Sequence, residues 1–136
     1  MSSTQGVSER REAVREEWLR QHGRVEENVI SYADYVLSEY EKEPEKYSKH
    51  INNFIERVEE LLYPHDQWEE EKAFALFRGH PLVNALTLQH REIEQLLSGA
   101  KSEVNPVRKV QMLKTFLEVL RIHVKAENEQ LIPMLR

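Results

Sequence analysis

Four of the six histidines in this 136-residue chain are followed, four positions later, by a glutamate: His22 by Glu26, His65 by Glu69, His90 by Glu94 and His123 by Glu127. On a helix, residues at i and i+4 are neighbours, their Cβ atoms roughly 5–6 Å apart. Such a pair can offer a nitrogen and an oxygen to one ion, or its carboxylate can bridge two. Acidic residues make up 24 of the 136, so four such coincidences exceed what composition alone gives. His50 and His80 lack the partner: His50 is expected to be exposed, and His80 to cap a turn or sit at the surface.

Placement carries more weight than spacing. His22 continues the apolar series Val14, Trp18, Val25, Val29, and His65 continues Phe54, Val58, Leu61. His90 follows Val83 and Leu86, and His123 follows Leu113, Phe116 and Leu120. Each histidine therefore falls on a core-facing stripe. A lone stripe histidine is ordinarily a hydrogen-bonded core residue, and a helix glutamate is ordinarily solvated. Four pairs at core phase on four helices point elsewhere. Burying Glu69 and Glu127 without compensation would cost several kcal/mol. A metal compensates four imidazoles and two carboxylates together. The rest of the acidic run EEEK at 69–72 reads as a solvated face.

The elements that must position these groups are four helices and no strand. The first is expected from about Ser8 to Glu41, with residues 1–10 a flexible extension of a single domain. Pro44 reads as a breaker, and the second helix as spanning about Tyr47 to Phe77. Pro64 within it removes the amide that Glu60 would accept, so a kink is expected there. The turn RGHP leads to a third helix opened by Pro81 and ending between Ser98 and Ser102. Asn105 is placed to cap the fourth, with Pro106 in its first turn. Short connections between amphipathic helices imply an all-α, antiparallel four-helix bundle. Trp18, Tyr32, Trp68 and Phe116 read as core. His22 and His65 lie 19 and 18 residues from the ends of their hairpin and so reach one layer. His90 and His123 match less well, about 12 residues against 17, and their loop must absorb the difference.

The chain also echoes itself. RQHGRVEENV and LQHREIEQLL share Gln-His, an aliphatic residue and Glu, while PHDQWEEE and IHVKAENE share His followed by Glu. Two helix pairs thus contribute similar groups to one centre.

Several function classes are excluded. There is no H-E-x-x-H, G-x-S-x-G, P-loop or G-x-G-x-x-G motif, and no histidine has the preceding Glu-x-x of ferritin-like sites. A net charge of −5 without a basic patch speaks against nucleic acid. No apolar run approaches the roughly 20 residues that cross a membrane. With no cysteine and no apolar leader, a cytoplasmic protein is expected.

RQHGRVEE, PHDQWEEEKAFALF, LQHREI and HVKAENEQLIPML, in that order on successive helices, resemble the hemerythrin-like (HHE cation-binding) family over about residues 15–135. The resemblance implies an up-down-up-down bundle. It also implies a di-iron centre, oxo- or hydroxo-bridged, with His22, His65, His90 and His123 as terminal ligands and Glu69 and Glu127 as bridges. Oxygen-carrying members have H-x-x-x-H on the third helix, where this chain has His90 and Glu94. Their last carboxylate lies five residues after its histidine, whereas Glu127 lies four after His123. Both departures are similar to a branch associated with iron handling, nitric oxide or peroxide chemistry. Glu26 has no counterpart in the family pattern and is expected behind the site or on the surface.

The expected function is a non-haem di-iron protein that binds small oxidants: dioxygen, nitric oxide or peroxide. Zinc and manganese also suit imidazole and carboxylate donors. Six protein ligands and one bridging oxygen leave each octahedral iron one open position, so oxidant is expected to react rather than be held. Glu94 stands where carriers place a fifth histidine, as a possible further ligand or a proton acceptor. The alternatives are an iron sensor or store without turnover, a reversible oxygen carrier, and a metal-free bundle acting through partners.

Overall fold

A computed structural model describes residues 2–136, with side chains from residue 6 onward. The described residues form four helical rods and no strand. The first rod is α1 (Ser2–Val25), a π-helical turn (Glu26–Ile30) and α2 (Ser31–Lys42). The second is α3 (Pro44–Trp68), a π turn (Glu69–Ala73) and a 3-10 turn (Phe74–Phe77). The third is α4 (Pro81–Ser102) alone. The fourth is α5 (Pro106–Ala126), a π turn (Glu127–Leu131) and a 3-10 turn (Ile132–Leu135).

Contacts between neighbouring rods run in opposite order along the chain. Tyr32 meets Phe54 while His22 meets His65. Lys101 meets Glu59 while His90 meets Glu70. Gly99 packs on Met112 while Gln89 meets His123. Arg121 meets Asp34 while Asn128 meets His22. Each neighbouring pair is therefore antiparallel.

The sequence-derived boundaries shift at two places. The first helix begins at Ser2 rather than Ser8, because nothing before Ser8 except Gly6 opposes helical geometry. Pro44 opens α3 instead of separating the helices, since proline's fixed φ and missing amide suit a first turn. Pro64 does not break α3, which runs on to Trp68, and the Glu60 residue it deprives of a donor is exposed. Gly79, at φ 86, makes the turn into α4. There His80 Nδ1 accepts the Leu82 amide at 3.1 Å, and Asn105 caps α5 by accepting from Arg108.

The length mismatch of the second hairpin is absorbed by α5, whose first turn overhangs the end of α4. The buried Lys109 ammonium reaches back to the carbonyls of Lys101 and Glu103, 3.4 and 3.3 Å away. A cation suits that carbonyl-rich helix end.

The core is divided. One apolar cluster runs from Val25 and Leu62 to Ile93 and Leu120, and the other joins Trp18, Phe74, Leu86 and Leu131. His22 falls between Trp18 and Val25, and His90 between Leu86 and Ile93. A buried polar layer thus separates the two clusters. Trp18 and Phe116 are core, as expected. Trp68 is half-buried, and Tyr32 is 41% exposed, a correction to its expected burial. Tyr32 lies at the mouth of a surface cleft beside Phe54 and His50.

The π turns keep the apolar stripes that follow Glu69 and Glu127 inward. A four-residue step on an α-helix overshoots a full turn by about 40°, so a stripe of such steps drifts off the core. Yet His65, Glu69, Ala73 and Phe77 are all buried, as are His123, Glu127, Leu131 and Leu135. The wider π turn winds more slowly and cancels the drift, and such turns are frequent at functional sites.

Candidate metal centre

α1, α3, α4 and α5 each deliver one histidine to the polar layer, and the π turns of the second and fourth rods deliver Glu69 and Glu127. All six side chains are buried. Their donor atoms form two groups that share both carboxylates: His22, His65, Glu69 and Glu127 on one side, and Glu69, His90, His123 and Glu127 on the other. Within each group the atoms lie within 4.8 Å of one another.

The sharing is atom by atom. Glu69 Oε2 lies 3.3 Å from His22 Nε2 and 3.1 Å from His65 Nε2. Glu69 Oε1 lies 2.7 Å from His90 Nε2 and 3.4 Å from His123 Nε2. Glu127 gives Oε1 to His22 at 2.9 Å and Oε2 to His123 at 3.1 Å.

Every imidazole points Nε2 inward, and every Nδ1 has an outward partner. His22 Nδ1 donates to Asn128 Oδ1 at 2.7 Å, and His65 Nδ1 to Gln21 Oε1 at 2.6 Å. His90 Nδ1 donates to Glu70 Oε2 and His123 Nδ1 to Gln89 Oε1, each at 2.9 Å. A donor bond at Nδ1 orients each ring with Nε2 inward, the usual arrangement behind a metal-bound histidine. Trp18 Nε1 donates to Glu69 Oε2 at 2.6 Å, so this core residue also orients the shared carboxylate.

The layer calls for positive charge. Burial pulls the His22 and His123 imidazoles down, but the Glu127 and Glu69 carboxylates beside them outweigh it and raise both to about 10. His90 is raised too, burial being overcome by the Glu69 bond and the Asp66 charge. Burial alone would lift the Glu69 carboxyl; the imidazoles, His65 foremost, hold it well below its usual range. Glu127 moves up, through burial and repulsion from Glu69.

These residues fit a pair of cations. Glu127 Oε2 is buried without a hydrogen-bond partner, although His123 Nε2 is 3.1 Å away, so the two atoms are close but misaligned for a hydrogen bond. Two donors converging on one ion have that relationship. Four imidazole nitrogens and two carboxylates form a donor set suited to iron, zinc or manganese.

The hemerythrin HHE cation-binding domain matches residues 13–135. The chain belongs to that family. No curated protein and no solved structure matches the chain at a significant level. As a cation-binding HHE domain, it carries two buried His/Glu clusters that could hold metal. Among its described residues no helix is long and apolar enough to cross a membrane.

The remaining candidates fall outside the clusters. Glu94 is half-buried on α4, where its charge bears on Tyr63. Glu26 is exposed, although it opens a π turn as Glu69 and Glu127 do. His50 is half-buried against Tyr47 rather than fully exposed, and His80 is the cap of α4. Asp66, buried beside His65, went unnoticed in the sequence, as did Gln21, Gln89 and Asn128 as Nδ1 partners, and Glu70, read as part of a solvated face, is half-buried and holds His90 Nδ1. A signal for those four was present: each is adjacent in sequence to a cluster residue, and Gln-His recurs at 21–22 and 89–90.

Proposed function

We propose that this HHE domain holds two iron ions and reacts with small oxidants: dioxygen, nitric oxide or hydrogen peroxide. The division of Glu69 and Glu127 between two imidazole pairs carries the reading, because a carboxylate with each oxygen on a different nitrogen pair is placed to bridge two cations. His22 and His65 would hold one ion, and His90 and His123 the other. Bound iron supplies electrons to the oxidant.

The chain's own contribution is orientation, charge and dryness. Gln21, Gln89, Asn128 and Glu70 hold the four rings in place. Glu69 and Glu127 add negative charge within the layer, and Glu70 adds more behind His90. Hard anionic donors favour the higher oxidation state, which supports reaction over reversible holding. The two apolar clusters close the layer on both sides. A cleft of about 300 Å³ lined by Gln21, Pro64, His65 and Trp68 lies against the His65 side and is a route for a small molecule.

The test is anaerobic reconstitution with ferrous iron, followed by stopped-flow mixing with dioxygen. About two irons per chain and rapid, irreversible oxidation are expected. Iron content of one or below overturns the dinuclear reading. A long-lived oxygenated spectrum that reverses under argon makes the protein a carrier, and two irons without oxidation favour a store or sensor.

A further inference from the structure

Among the described residues, Trp18 is the one readily oxidised ring in contact with a cluster histidine. Its ring centroid lies 6.1 Å from that of His22, edge to face, and its Nε1 donates to Glu69 Oε2 at 2.6 Å. The other rings against the layer are Phe74, stacked on His90, and the histidines themselves. Trp18 is wholly buried, and the one oxidisable ring beside it is the half-buried Trp68, 6.3 Å away between centroids. We propose that Trp18 and Trp68 form a relay that passes single electrons from phenols at the surface to the polar layer, making this HHE domain a peroxidase toward small phenols.

The path is continuous. Indole, phenol and thiol side chains give up one electron most readily, and the chain has no cysteine. Two indoles at this separation are in edge-to-face contact, so an electron crosses with no backbone or water between them. At the inner end Trp18 bonds the carboxylate that both clusters share. An indole that has lost an electron is a cation with an acidic N–H, and Glu69 Oε2 holds that proton at the ring. The electron leaves and returns with no proton lost. Phe74 and Phe77 also lie against Trp18, at 6.1 and 6.4 Å, but a phenyl ring is far harder to oxidise than an indole. The path therefore has one exit.

That exit opens on a cleft. Trp68 lines the space of about 300 Å³ together with Arg24, Leu61 and Pro64. Leu61, Pro64 and Trp68 give apolar walls for a single aromatic ring, and Arg24 offers a donor to its oxygen. All six cluster side chains are buried, so such a ring stops at Trp68 while the smaller peroxide goes on inward.

The electrons balance. Hydrogen peroxide takes up two electrons and two protons and leaves as two waters. Two phenols supply them, each losing one electron and its hydroxyl proton and leaving as a phenoxyl radical. In each passage Trp18 gives an electron to the layer, Trp68 refills Trp18, and the phenol refills Trp68. Both indoles end unchanged.

This inference rests on the di-iron reading, and a redox-inert metal separates their failures. Protein loaded with zinc, which has no redox chemistry, is flash-oxidised by photogenerated ruthenium tris-bipyridine in solution. Peptide mass spectrometry then locates the oxidised tryptophans. Wild type should carry oxidation at Trp18 although that ring is wholly buried, and Trp68→Phe should lose it. Iron-loaded wild type given hydrogen peroxide should oxidise 2-methoxyphenol. Trp68→Phe should keep its iron and its own rate of oxidation by peroxide yet lose oxidation of the phenol, and Trp68→Tyr should restore it. Zinc-loaded wild type oxidised at Trp68 alone overturns the relay, whether or not the variants fold. Phenol oxidation at the wild-type rate by Trp68→Phe also overturns it, and leaves the di-iron reading standing. Iron-loaded protein inert to peroxide, with Trp18 oxidised in the zinc form, overturns the di-iron reading and the peroxidase activity with it.

Discussion

Glu70 accepts a hydrogen bond from His90 Nδ1 at 2.9 Å, whereas the corresponding His22 Nδ1 is held by the neutral amide of Asn128 at 2.7 Å. A carboxylate makes its imidazole a stronger donor than an amide does. Glu70→Gln should therefore weaken iron binding by about 10-fold while keeping the fold, and Glu70→Ala by about 10- to 100-fold. Chelator competition measures this. Unchanged affinity in both variants would show that the Glu70 bond does nothing for the metal.

Glu69→Ala and Glu127→Ala should each lose metal, since each removes a carboxylate common to both clusters. His50→Ala and His80→Ala should retain it, because neither ring lies in a cluster. Metal content per chain after identical reconstitution decides the matter. A loss in His80→Ala would mean that the cap of α4 also sets the position of His90.

Trp18→Phe keeps most of the ring's bulk but deletes the donor to Glu69 Oε2. A hydrogen bond to a charged group contributes about 1.5–3 kcal/mol, and that is the expected fall in stability by denaturant titration. The variant should also bind iron more weakly, because the shared carboxylate loses the group that orients it. A loss of stability with unaltered metal affinity would assign Trp18 to packing alone.

Metal removal should lower the melting temperature. Ligation links binding to folding, and a site at 100 times its dissociation constant adds about 2.7 kcal/mol. Leu97→Ala, in the apolar cluster beyond the layer, should cost about 2–5 kcal/mol yet leave iron content unchanged. Thermal melts with and without chelator report both effects. Equal melting temperatures for the metal-free and loaded wild type would point to solvated ligands.

The sequence by itself determined the four helices, the core phase of His22, His65, His90 and His123, and the burial of Glu69 and Glu127. Periodicity is local: a 3.6-residue repeat decides which side chains share a face, whatever lies across from them. Spacing alone does not separate Glu94 from Glu69 and Glu127: it stands at the same step from a histidine but lies outside both clusters. Glu26 has that spacing too, and opens a π turn as Glu69 and Glu127 do, yet it is exposed, so the packing of each rod on its neighbours decides which glutamate enters the layer. Tyr32 was misread for the related reason that the edge of a stripe looks like its centre until neighbouring helices are in place.

Only the tertiary structure decided the rest. Which oxygen of Glu69 faces which imidazole pair depends on four antiparallel rods meeting at one height. So do the links from Gln21 to His65, Gln89 to His123, Asn128 to His22 and Glu70 to His90, each of which crosses between rods. Asp66 belongs with them. In the sequence it is one more acidic residue near a proline. Its burial against His90 exists because α3 packs on α4, and that packing is set by side chains 20 and more residues away in the chain.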